Sequence, residues 1–185
     1  MPEPVEPSPS LSNVAVSLSI EDPVWRDADL EIPLEDFIEA HVRTVLYTIE
    51  IPVLEKAEMV DVSVVLMNDA MIQSINHEYR GKNKPTNVLS FPQLTVEEIK
   101  SRDLNINEFL PLGDILISYE TIVQEAKEQE KDFDAHFAHM IIHGMLHLLG
   151  YDHLEDDEAE EMEHVETLIM TGLGYKAPYE GMENA

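Results

Sequence analysis

The sequence predicts an α+β fold, a small and mostly mixed β-sheet covered by helices. Three features point to it. β-Rich runs at 14–20, 60–67 and 112–118 are joined by a fourth that closes at Pro92. Apolar stripes at helical spacing separate them, and the second half of the chain is mainly helical in pattern. Strands and helices are interspersed without a strict βαβ period, as in a sheet with helices laid against it.

Residues 14–20, VAVSLSI, alternate apolar and small polar side chains as a half-buried strand does. Over 34–50, Leu34, Phe37, Ile38, His41, Val42, Val45, Leu46 and Ile49 share one helical stripe. Pro33 suits its first turn and Pro52 discourages its extension. VDVSVVLM, 60–67, is the clearest strand, after which Asn68 or Asp69 can cap a helix carrying Met71, Ile72, Ile75 and Tyr79. RGKNKPTNVLSFP makes a basic turn into the short strand ending at Pro92, and 93–111 reads as a surface loop with one acidic helical turn. LGDILIS, 112–118, is another strand. Residues 119–131 form a charged helix, 134–149 an apolar one, and roughly 154–172 a last helix with Ala159, Met162, Val165 and Ile169 inside. With no internal repeat, 13–180 reads as one domain. It follows a disordered tail, 1–12, in which Pro2, Pro4, Pro7 and Pro9 leave little to bury.

Composition narrows the function. The 185 residues are 44% apolar, enough for a real core. The absence of cysteine excludes disulfides and thiolate ligands, so any metal site must use nitrogen and oxygen. No lysine or arginine precedes Arg26, and no early apolar run resembles a signal-peptide core. No apolar stretch approaches the roughly 20 residues of a spanning helix. The expectation is a cytoplasmic protein with no membrane contact. A formal charge of −27 repels nucleic acid at long range, so any RNA contact needs a local basic patch. Of eleven lysines and arginines, Arg80, Lys82 and Lys84 fall within five positions; standing alone, such a cluster is an ordinary solvated turn.

The segment HFAHMIIHGMLHLLGYDH, 136–153, carries the chemistry. At about 3.6 residues per turn, His143 and His147 project from one helix face, a spacing at which two imidazoles meet one ion. Gly150 can end the helix in a left-handed turn and return the chain, so that His153 brings a third imidazole to the pair. The metal site is therefore expected on a central helix and the turn after it. Three neutral nitrogens leave a fourth tetrahedral position for water. The set suits one zinc ion per chain, although nickel or copper also fit imidazole. Gly144 stands where metalloproteases of the HExxH type carry glutamate, so peptidase chemistry lacks its proton acceptor. His136 and His139 share the stripe, either as hydrogen-bond partners of the ligands or as ordinary helix-face histidines. His41, His77 and His164 read as structural or surface groups. Asp152 either orients a ligand imidazole or shapes the turn. Asp114, in an apolar strand, either lines the site or caps a neighbouring element.

Three separated motifs, HGMLHLLGYDH, NHEYRGKNKPTNVLSFP (76–92) and LGDILIS (112–118), resemble the bacterial YbeY family of rRNA maturation factors, as do the tail segments HLEDDEAEEME and LGYKAPY. The resemblance covers most of 60–180 and leaves the first 55 residues with little signal. It implies a metal-dependent endoribonuclease of single-stranded RNA. Such an enzyme acts on rRNA precursors in 16S 3′-end maturation, and in ribosome assembly and quality control. It also implies zinc ligation by His143, His147 and His153, with His143 counted as catalytic, and a functional role for Arg80. On that reading the planar fork of Arg80 meets phosphate and the charge developing on it, while Lys82 and Lys84 touch the RNA backbone as point charges. Small-subunit ribosomal proteins are candidate partners, and DNA is not expected. The acidic run 155–163 reads as a solvated helix face rather than a strip for a basic protein. Two other functions stay open: an assembly factor whose metal is structural, and a metallohydrolase of another ester or amide.

Overall fold

The computed structural model describes residues 13–101 and 109–180, so the Pro-rich segment 1–12 lies outside the described residues. Strand β1 (Val14–Ile20) leads through a 3-10 turn, Pro23–Asp27, to helix α1 (Leu34–Thr48) and a second 3-10 turn, Pro52–Lys56. β2 (Met59–Met67), α2 (Asp69–Arg80), β3 (Val88–Pro92) and α3 (Val96–Lys100) follow. Then come β4 (Phe109–Ser118), α4 (Tyr119–Glu128), α5 (Phe133–Leu148) and α6 (Asp156–Gly172). The strands lie in the order β1-β2-β4-β3; β1, β2 and β4 are parallel and β3 is antiparallel to β4. This is the α+β class with a mixed sheet that the sequence predicts.

Period-two alternation divides the sheet between two cores. Val62, Val64 and Leu66 of β2, with Ile115 and Ile117 of β4, enter the main core shared with α1 and α5. Their neighbours Val65, Met67 and Leu116 turn to the other face, where Ile72 and Ile75 of α2 meet them with Leu89. Trp25, fully buried from the first 3-10 turn, donates its indole N–H to Met67 O at 3.0 Å and packs on Tyr119 and Phe137. Among the described residues no helix is long and apolar enough to cross a membrane.

Helix α5 is apolar nearly all round, as an internal helix is. It approaches the sheet closely at Gly144, where an added Cβ would stand 2.8 Å from Ile115 Cγ2. A glutamate at that position would be driven into β4, so the missing protease base is a matter of packing as well as of sequence.

Some boundaries differ from the sequence expectation. β4 begins at Phe109, inside the stretch expected as loop. The β2–β4 register jumps there: Asp61 pairs with Pro111 and Val62 with Gly113, leaving Leu112 as an extra residue. Pro111 and Gly113 disguise a strand in the sequence, and here they form a bulge. Gly113 sits at φ 137°, and an added Cβ would lie 2.2 Å from Phe91 O. Asn68, not Asp69, caps α2, accepting Met71 N–H at 3.0 Å, and Pro33 stands at the N-cap of α1 rather than in its first turn.

Candidate functional site

The end of α5 folds back through its own stop signal. Tyr151 N–H bonds Leu146 O at 3.0 Å and Gly150 N–H bonds His147 O at 3.1 Å, with Gly150 at φ 91°. This bond pair closes a left-handed helix stop, a geometry that glycine adopts without Cβ strain. The turn carries the Tyr151 carbonyl back to His147, whose Nδ1–H donates to it at 2.9 Å. Asp152 accepts the backbone N–H of His153 at 2.8 Å and so shapes the turn. Ring centroids are then 4.6 Å apart for His143 and His147, 5.0 Å for His147 and His153, and 5.8 Å for His143 and His153. One ring nitrogen from each lies within 4.8 Å of the other two.

The partners dictate the tautomers. A carbonyl oxygen only accepts, so His147 carries its proton on Nδ1 and leaves Nε2 bare. The Glu166 carboxylate takes the His143 Nδ1–H in the same way. The two Nε2 atoms face each other at 3.1 Å. At that distance one cation could take a lone pair from each ring. Burial, with His143 and His153 alongside, holds the His147 pKa down at about 4, so His147 is a neutral donor at physiological pH. Nitrogens about 2.0–2.1 Å from one tetrahedral zinc lie about 3.3 Å apart, close to the spacing of this pair. Among the described residues no fourth histidine or carboxylate joins the three, so the donor set fits a first-row metal with an open position.

Glu166 is absent from the sequence-based candidates. It is fully buried on α6, in line with Met162, Ile169 and Met170, and a carboxylate on that apolar stripe is the signal that could have found it. Its Oε2 accepts the Tyr179 hydroxyl and lies 3.4 Å from His139 Nε2. Burial pushes its carboxyl up, but His139 and His143 beside it outweigh burial and hold it at about 2. His139 is buried with neither ring nitrogen in a well-formed hydrogen bond, its contact to Glu166 being within ion-pair range but misaligned. It attends Glu166 and adds no fourth ligand to the three histidines. His136 belongs to another contact: its Nε2 meets Glu125 Oε2 at 2.7 Å, and Glu125 receives Asn87 Nδ2 at 3.1 Å. Buried His41 donates from Nδ1 to Phe37 O at 2.6 Å and meets the Tyr175 hydroxyl at 3.2 Å, and His77 and His164 are exposed.

The basic turn is of a different kind. Asn76 Nδ2 holds Lys84 O at 2.8 Å and Gln73 Nε2 holds Asn83 Oδ1 at 3.0 Å, so the loop is pinned. The Arg80, Lys82 and Lys84 side chains are exposed and make no hydrogen bond or ion pair with any described residue. In a chain with 38 carboxylates, three cations without an acidic partner among the described residues are notable. Among the described residues no hydrogen bond or ion pair joins them to the three histidines. Asp114 does not line the histidine cluster. It faces a groove of about 830 Å³ on the α2 side of the sheet, beside Tyr79 and Phe91. The acidic run forms the first turns of α6, with Asp156, Asp157 and Glu158 exposed.

The family described as Endoribonuclease YbeY matches residues 26–174, a span that begins well upstream of the motifs. The Endoribonuclease YbeY of Sinorhizobium medicae is 51% identical over 66% of this chain and 70% of its own length. That of Rhizobium etli is 52% identical over 66% of this chain and 68% of its own. The solution structure of TM1509 from Thermotoga maritima superposes with a TM-score of 0.50 at 23% identity, over 84% of this chain and 87% of that one, a likeness of fold. The chain belongs to the endoribonuclease YbeY family.

Proposed function

We propose that this member of the family cleaves single-stranded RNA with one zinc ion held on His143, His147 and His153. The reading rests on the Nε2 atoms of His143 and His147 facing each other at 3.1 Å, on rings whose Nδ1 atoms are each committed to an acceptor. A zinc ion there supplies Lewis acidity toward a phosphoryl oxygen and hydroxide near neutral pH. The open donor set favours a catalytic ion over a closed structural one.

Arg80 supplies the other half. Its guanidinium, with no carboxylate partner among the described residues, can fork onto two phosphate oxygens and meet the charge that develops during phosphoryl transfer. Lys82 and Lys84 hold the adjacent backbone, giving a protein of charge −27 a local foothold on a polyanion. Family membership supports a substrate among rRNA precursors, with 16S 3′-end maturation, ribosome assembly and quality control in the cytoplasm as the setting. Small-subunit ribosomal proteins are the natural company of such a substrate. A metallohydrolase of small esters, by contrast, has no use for an unpaired basic turn.

The test is purified protein assayed on single-stranded RNA, duplex RNA and a generic ester, with and without chelator. Chelator-sensitive cleavage confined to single-stranded RNA is the expected result. Ester hydrolysis without RNA cleavage would replace this reading with the metallohydrolase one.

A further inference from the structure

We propose that Glu166 is a positioning residue for the metal: its carboxylate, oriented by Tyr179, fixes His143 as the Nδ1–H tautomer and turns Nε2 toward the ion. The inference rests on the three-histidine reading above and adds a role for two side chains that no motif assigns.

The first argument is cost. A fully buried carboxylate is expensive to desolvate, and replacing a buried ion pair by apolar side chains is often neutral or stabilising. Glu166 stands in line with Met162, Ile169 and Met170, where leucine or methionine would pack. Its presence there calls for a use other than stability.

The second argument is commitment. Oε1 is taken by His143 Nδ1–H and Oε2 by the Tyr179 hydroxyl. His139 packs edge-on to the Tyr179 ring, at 5.4 Å and 89°, and closes the remaining side. The segment that delivers Tyr179 is itself tied down, since Lys131 Nζ donates to Pro178 O at 2.5 Å. Burial and the Glu166 charge push the Tyr179 phenol up, so it stays a neutral O–H donor. A metal-binding imidazole whose second nitrogen donates to a carboxylate gains orientation and basicity, and loss of such a partner weakens metal binding about 10–100-fold. His147 has only the Tyr151 carbonyl in that place, so the carboxylate distinguishes His143 from its neighbour.

Glu166→Gln keeps the shape and an oxygen for His143 while removing the charge. Measured by chelator competition, its zinc affinity is expected to fall about 10–100-fold. The visible spectrum of the cobalt-substituted protein should shift, while circular dichroism and the melting midpoint of the metal-free protein stay near wild type. Tyr179→Phe, which leaves the Glu166–His143 bond, should lose affinity severalfold. Wild-type affinity and an unchanged cobalt spectrum in Glu166→Gln would overturn the proposal, as would a lowered melting midpoint with metal binding intact. If Glu166→Gln does not fold, Tyr179→Phe decides in the same way. His143→Ala separates the two levels of inference: if it binds zinc as tightly as wild type, the three-histidine site itself fails, whatever Glu166 does.

Discussion

The Nδ1 atoms of His143 and His147 each have one partner, whereas at Arg80, Lys82 and Lys84 the backbone is held and the charged ends are left to solvent. His143 and His147 are half-buried and His153 is exposed, with Nδ1 of His143 and of His147 spoken for by Glu166 and Tyr151. The basic turn is pinned through Asn76 and Gln73, and its cations meet no described partner. On the proposed function, the contrast separates two physical tasks. A metal site must be organised before its ion arrives, since misplaced donors cost affinity directly. A site for a long flexible polyanion gains from mobile, solvated charges that capture phosphate at many registers.

Ligand loss should break the first region outright. His147→Ala removes a donor and leaves the Tyr151 carbonyl without its imidazole. Its metal affinity should fall by more than the roughly 100-fold that losing an outer partner costs, and cleavage should vanish with the metal. Retained metal with lost cleavage would move His147 from ligand to some other role. Arg80→Ala should break the second region alone, with cleavage down about 10²–10³-fold at unchanged metal content. Unchanged turnover on RNA would remove Arg80 from the chemistry.

Gly113→Ala probes how far organisation of the histidines depends on the sheet. The new Cβ would strike Phe91 O and, at 2.9 Å, Leu148 Cδ2 at the end of α5, in a backbone conformation that suits glycine. A loss of at least ~2 kcal/mol in denaturant unfolding is expected, with weaker metal binding. Full stability would mean that the bulge relaxes without disturbing α5. Lys82→Ala combined with Lys84→Ala should act most gently. RNA affinity should drop and the slope of log K against log salt should flatten by about 1.4, two phosphates at about 0.7 each, with turnover of bound RNA unchanged. An unaltered slope would show that neither lysine touches phosphate.

How much of this was legible in the sequence follows the range of the signals. His143, His147 and His153 are local: a helical period, a glycine stop and a short return bring them together, and that return has the bond pattern expected of the stop. β1, β2, α1 and α5 follow from apolar periodicity for the same reason. Glu166 lies a helix away from His143, on a helix so rich in acids that one more attracts no notice. Only its place on the apolar stripe gives it away. Trp25 enters the core from a 3-10 turn, which has no periodic signature. The start of β4 is hidden because Pro111 and Gly113, ordinarily strand breakers, sit at a bulge where the ladder tolerates them. Arg80 is legible as charge, but that no carboxylate among the described residues pairs with it is visible only in three dimensions.

Metal removal tests the central claim most directly. Wild-type protein stripped by chelator, assayed on single-stranded RNA and then titrated with zinc, should lose cleavage with the metal. Activity should return in proportion to zinc up to one ion per chain, and His143→Ala should recover none. Undiminished cleavage by fully metal-free protein would contradict it.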